Sequence, residues 1–148
     1  MVDVLVRPEA RKLINVSSQR QLAARLRAAL RVLDRSRSEV TVLLTCDEEM
    51  RGLNHDYRKL DRATDVLSFH QQELNGESDP AGDGVLLGDI VISVETALRR
   101  SGKGRLPGEL ARLAVHGLCH LFGHDHHRPG EAEIMRKLER KLLRASRK

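Results

Sequence analysis

Apolar and polar positions alternate over VDVLV, residues 2–6, with the period of a half-buried strand, and Pro8 closes the pattern. After Ser18, a candidate N-cap, the period becomes helical: Leu22, Leu26, Leu30 and Leu33 form an apolar stripe that predicts a helix to about Asp34. EVTVLLT, residues 39–45, is a short apolar run that predicts a buried strand. Asp47 then predicts the cap of a helix whose inner face is Met50, Leu53 and Tyr57.

DVLSF (65–69) and VLLGDIVIS (85–93) are two further strands. In the second, Ile90 and Ile92 alternate as core residues, Gly88 permits close approach of another backbone, and Asp89 is either buried or orienting. Between them QQELNGESDPAGDG is long enough to suggest mobility near a site. A helix follows from about Val94, GKGRLPG breaks it, and Pro107 suits the first turn of a helix continuing to Phe122. Leu110, Leu113, Ala114, Leu118 and Leu121 make this last helix largely apolar and therefore central, and Gly123 is a ready left-handed cap. A final amphipathic helix runs through Ile134, Leu138 and Leu142. With no internal repeat or linker, the expectation is one domain over residues 1–148. Its class is α+β: a small mixed sheet of about four strands covered by about five helices, with a central apolar helix.

A chain of 148 residues can bury an adequate core without disulfide or metal staples, so a metal would serve chemistry rather than folding. Two cysteines, Cys46 and Cys119, are too few for a disulfide framework and suit a reducing compartment. The N-terminus lacks a secretory pattern and no apolar run approaches a membrane span, so a soluble, cytoplasmic protein is expected. The net charge of +5 is uneven: Arg20, Arg25, Arg27, Arg31, Arg35 and Arg37 follow one another closely, and residues 136–148 form a basic end. Such fields favour polyanions, though a solvated helix face explains them equally well. Tyr57, Phe69 and Phe122 are the only aromatics, too few for a large base-stacking platform, so a nucleic acid would be held mainly by its backbone.

HGLCHLFGHDHH, residues 116–127, holds five of the seven histidines. His116 and His120 are one helical turn apart on one face, where two imidazoles can converge on an ion. A turn at Gly123 would let His126 swing back as a third ligand, while a helix continuing past it would present His124 instead; His127 also competes. Three nitrogens leave a fourth tetrahedral position open, as in catalytic zinc sites, and nickel or copper would accept the same donors. The spacing matches the metal frame of metzincin proteases, but their general base, a glutamate directly after the first histidine, is Gly117 here. Asp125 is a candidate acceptor for an imidazole N–H. In NHDYRKLDRATDVLSF, residues 54–69, Arg58 falls at a helix end, where a guanidinium could hold phosphate oxygens and stabilise transition-state charge.

HGLCHLFGHDH (116–126), NHDYRKLDRATDVLSF (54–69) and LLGDIVIS (86–93), in this order, resemble the YbeY endoribonucleases, a family of bacterial rRNA maturation factors, over nearly the whole chain. The resemblance implies a single-strand-specific metallo-endoribonuclease with one zinc ion per chain, acting in 16S rRNA 3′-end maturation and ribosome quality control. It implies His116, His120 and His126 as zinc ligands, with His116 and Arg58 in the catalytic centre and Arg58 facing substrate. It favours His126 over His124, since the family commonly has tyrosine at the latter position. His124, and His70 where the family usually has proline, are departures. The implied partners are single-stranded RNA and the small ribosomal subunit, with ribosomal or GTPase assembly proteins as candidates, and neither membrane nor DNA. No carboxylate is obviously placed as general base. Two rivals are a non-catalytic ribosome assembly factor with structural zinc and a metal-dependent hydrolase of another substrate, such as a metzincin-like peptidase without its glutamate.

Overall fold

In the computed structural model four strands, β1 (Val2–Val6), β2 (Glu39–Thr45), β3 (Val66–His70) and β4 (Leu86–Ser93), form one mixed sheet in the order β1-β2-β4-β3. The described residues are 1–58, 64–70, 86–123 and 130–147, with Arg58 described by its backbone alone. β1, β2 and β4 run parallel, and β3 closes the edge antiparallel to β4. Among the described residues five α-helices cover this sheet: α1 (Val16–Val32), α2 (Asp47–Arg58), α3 (Val94–Ser101), α4 (Leu106–Leu121) and α5 (Glu131–Ser146), with 3-10 turns at Pro8–Leu13 and Lys103–Arg105. The α+β architecture with a small mixed sheet is as the hydrophobic pattern predicts. The segment 71–84 expected as a long loop lies outside the described residues.

The sheet has two unequal faces because successive strand side chains point in opposite directions. Val40, Val42 and Leu44 of β2 with Ile90 and Ile92 of β4 point into the main core, together with residues of α1, α4 and α5. The other face carries a smaller cluster of Met50, Leu67, Phe69 and Val91, flanked by Leu43 and Leu53 and covered by α2. A bulge decides which β4 residues go where. The register steps from Glu39↔Leu86 to Val40↔Gly88, leaving Leu87 as the extra residue. Leu87 is thereby fully buried in the main core, while Asp89, two residues on, faces the α2 side. Gly88 has φ +141°, so it serves the bulge rather than only a close backbone approach.

Several boundaries shift for identifiable reasons. Asn15, not Ser18, caps α1, its side chain accepting from the Ser18 N–H at 2.7 Å. Asp47 does not cap its own helix. Its Oδ1 accepts from Ser93 Oγ (2.5 Å) and Thr96 Oγ1 (2.6 Å), while Glu95 Oε1 accepts from the Asp47 N–H (2.7 Å), so side chains tie the start of α2 to the start of α3, which Ser93 caps. Burial raises the Asp47 carboxyl, but these hydroxyls and Arg99 outweigh it and hold the group below its ordinary value. On α5 the inward stripe is Met135 and Leu142, one residue round from the Ile134 expected there, which is 53% exposed. Tyr57 is likewise 58% exposed, lying edge-on to Phe69 with ring centroids 5.3 Å apart.

α4 is the central helix. Leu110, Leu113, Leu118 and Leu121 are all at most 1% exposed, and at about 1.5–3 kcal/mol per buried side chain they outweigh any surface ion pair, worth about 0–1 kcal/mol. The helix lies close to the sheet at Gly117, whose carbonyl accepts from Ser68 Oγ at 3.0 Å. A Cβ at Gly117 would sit 2.8 Å from Ile90 Cγ2 and 3.0 Å from Ser68 Oγ, inside normal contact. Gly117→Ala is therefore expected to cost about 1–3 kcal/mol through overpacking, read as a thermal midpoint several degrees lower. An unchanged midpoint would mean that the helix yields without cost.

Candidate metal centre on the central helix

Only six of the sixteen α4 residues escape burial, and they form one seam: Pro107 and Gly108 at the start, then Glu109, Arg112, His116 and His120 at helical spacing. The last two converge. Nε2 of His116 and Nε2 of His120 are 3.2 Å apart, with the rings edge to face at a centroid distance of 4.8 Å. Two ligands on a tetrahedral ion at the usual Zn–N bond length would be about 3.3 Å apart. The pair therefore needs almost no rearrangement to share an ion.

Glu139, reaching from α5, accepts a hydrogen bond from Nδ1 of His116 at 2.5 Å. This fixes the tautomer: with the proton on Nδ1, neutral His116 presents the Nε2 lone pair towards His120, as a metal ligand requires. The sequence offers Asp125 as the acceptor rather than Glu139. Its one local signal is position, four residues after Met135 and three before Leu142, which places a carboxylate on the inward stripe of α5. Asp125, His124, His126 and His127 lie outside the described residues, as does the side chain of Arg58. Among the described residues no three His, Cys, Asp or Glu side chains gather as an ion site. Two of the three expected ligands are brought together.

Cys119, between the two histidines in sequence, points away from them into the core. Burial, with the charge of Glu139 adding to it, pushes its thiol up to about 12, so it is neither nucleophile nor thiolate ligand. His70 follows Ser68 on the same face of β3, the α4 side, and its Nδ1 is buried without a hydrogen-bond partner among the described residues. Asp89 faces away from the histidines. It lines a cavity of about 180 Å³ with Tyr57, Phe69 and Arg7, and burial raises its carboxyl above the ordinary value.

Residues 8–147 match the family model described as Endoribonuclease YbeY. The chain belongs to the YbeY family. A relative from Anaeromyxobacter dehalogenans, named Endoribonuclease YbeY, is 46% identical over 128 residues, 85% of this chain and 63% of the relative. Another of that name from Anaeromyxobacter sp. strain Fw109-5 is 45% identical over 131 residues, 87% of this chain and 65% of its own length. The match thus spans somewhat under two thirds of these relatives. The solution structure of TM1509 from Thermotoga maritima superposes with a TM-score of 0.63 at 25% identity, covering 99% of this chain and 89% of that one. The fold of this YbeY-family chain is thus shared along nearly its whole length. Among the described residues, no helix is long and apolar enough to cross a membrane.

The contrast between the two thiols is directly measurable. At pH 8 the folded protein is expected to expose one reactive thiol per chain, the half-buried Cys46, and two after unfolding. Two fast-reacting thiols in the folded state would place Cys119 at the histidine surface instead.

Proposed function

We propose that this YbeY-family chain is a zinc-dependent, single-strand-specific endoribonuclease of the cytoplasm, acting on the small ribosomal subunit in 16S rRNA 3′-end maturation and ribosome quality control. The observation that carries the reading is the convergence of His116 and His120, with Glu139 holding the first in the tautomer that a metal needs. The relatives' name supports the substrate class. His126 is proposed as the third ligand, one zinc ion per chain.

Zinc, when bound, supplies a nucleophile from water near neutral pH and an electrophile for a phosphodiester. The chain's own residues do the rest. His116 and His120 hold the ion on the open seam of α4, Glu139 prevents the His116 ring from turning, and Arg58 is proposed to bind the phosphate and balance its growing charge. The general base cannot come from position 117. That residue faces Ile90 and Ser68, where a side chain could enter only by displacing them.

His120→Ala is expected to remove both bound zinc, by elemental analysis of the purified protein, and cleavage of single-stranded RNA. Retention of both overturns the proposal, and retained ribosome association with no cleavage even by the wild type favours the assembly-factor rival. Glu139→Gln keeps the side chain's shape but removes the charge, and is expected to weaken zinc binding about 10–100-fold in a chelator competition. An unchanged affinity would show that His116 is oriented by packing alone.

A further inference from the structure

The seam of α4 does not stop at the histidines. One turn before His116 stands Arg112, and beyond it the seam opens into a concave surface of about 430 Å³ walled by Arg25, Arg100, Arg105, Arg112 and Arg147. These come from α1, α3, the Lys103–Arg105 turn, α4 and the end of α5, so the fold gathers charges that are scattered in sequence. Two of the five are neutralised and held in place: Arg112 by Glu109 at 2.7 Å, and Arg100 by Asp65. Arg25, Arg105 and Arg147 have no carboxylate partner among the described residues, which leaves three uncompensated positive charges around one hollow. Arg25 is half-buried, with Nε donating to Ser146 Oγ at 3.2 Å, and Ser146 in turn is anchored on the Leu143 carbonyl. Its terminal nitrogens are thus left for another acceptor. Burial and the nearby charge of Arg147 lower its pKa, a cost that a solvated surface would avoid by letting the two side chains separate.

We propose that this arginine groove is a phosphodiester-binding extension of the histidine centre, gripping the backbone of single-stranded RNA at nucleotides beyond the scissile bond. The inference rests on the endoribonuclease reading for its ligand, and on three features of the groove for its chemistry. Guanidinium groups with free paired N–H donors match phosphate oxygens. Among the described residues no aromatic side chain lines the hollow, so it can hold a backbone but not stack bases. Arg105, just before α4, is followed by Glu109, Arg112, His116 and His120 at helical spacing, and from Arg105 to His116 the run is about 16 Å, long enough for several phosphates of one strand.

Gly108 supplies a clean test, because it lines the groove and a Cβ there would meet nothing within 4 Å. Gly108→Glu inserts a negative charge and leaves every arginine in place; Arg105→Glu inverts one of the three uncompensated cations. Arg20→Glu, on the exposed side of the basic helix α1 and outside the groove, is the control for overall charge. Binding of a labelled, uncleavable 2′-O-methyl single strand, read by fluorescence anisotropy across a salt series, is expected to weaken at least about tenfold in both groove variants. The salt slope should fall by about 0.7 for each phosphate that a variant no longer holds, while Arg20→Glu changes little. In cleavage assays KM should rise for a long single strand and stay unchanged for a trinucleotide, with kcat unaffected. Equal weakening by all three variants, or none, overturns the groove. If poly-glutamate displaces the RNA and binds with similar affinity through the same residues, the occupant is an acidic protein and the proposal falls. A wild type that binds RNA through the groove yet cleaves none removes the nuclease reading but keeps the groove. A wild type that cleaves with a KM indifferent to Gly108→Glu does the reverse.

Discussion

The seating of α4 on the sheet at Gly117 is the contact on which the rest of this structure depends. With no side chain at that position, the helix backbone can descend onto Ile90 and accept a hydrogen bond from Ser68, an approach that a Cβ would crowd. Once that point is fixed, helical geometry fixes the remainder. Leucines at 110, 113, 118 and 121 enter the core, and Glu109, Arg112, His116 and His120 are left along the one seam that the sheet and its neighbours do not cover. The same glycine that seats the helix also removes the position at which a peptidase of similar histidine spacing carries its base. Packing and chemistry are therefore decided by one absent side chain.

Electrostatics along the seam follow from what α5 brings to it. Glu139 is placed on the inward stripe between Met135 and Leu142, where an uncompensated carboxylate would be costly. Its partner is the Nδ1–H of His116. In satisfying that carboxylate the histidine is locked into one orientation and one tautomer, so a requirement of α5 packing becomes preorganisation of the centre. Asp47 shows the same double use elsewhere: its side chain ties the start of α3 to the start of α2, and its own N–H is met by Glu95 in return.

What is legible in the sequence is whatever depends on spacing within one element. The i, i+4 histidine pair, the apolar faces of α1 and α4, the alternation in β4 and the left-handed Gly123, at φ +90°, are all local patterns and all appear as expected. What is not legible depends on contacts between elements. Glu139 looks like one more charge on a basic amphipathic helix until α5 is laid against α4. Leu87 cannot be assigned to the main core without the bulge, because unbroken alternation would put it on the same side as Asp89 and Val91. Ile134 and Met135 are equally good core candidates by hydrophobicity, which does not fix the rotation of a helix that starts from the left-handed Gly130. The same limit applies to the arginines, which in sequence are indistinguishable from a solvated helix face.

The two faces of the sheet consequently have different chemical characters, and this bears on how a polyanion could be handled. On the α2 side an acidic group, Asp89, with its carboxyl raised by burial, shares a small cavity with Tyr57 and Phe69, surroundings suited to a flat or apolar group. On the α4 side the open seam joins arginines to a pair of ring nitrogens. Unpaired arginines are concentrated along the second face, where Arg25, Arg105 and Arg147 have no carboxylate partner among the described residues, whereas on the first Asp89 and Arg7 line one small cavity together. A strand held as proposed would lie along the helix axis. Held that way it would present phosphates, rather than bases, to the histidines, in keeping with a groove that no aromatic side chain lines among the described residues.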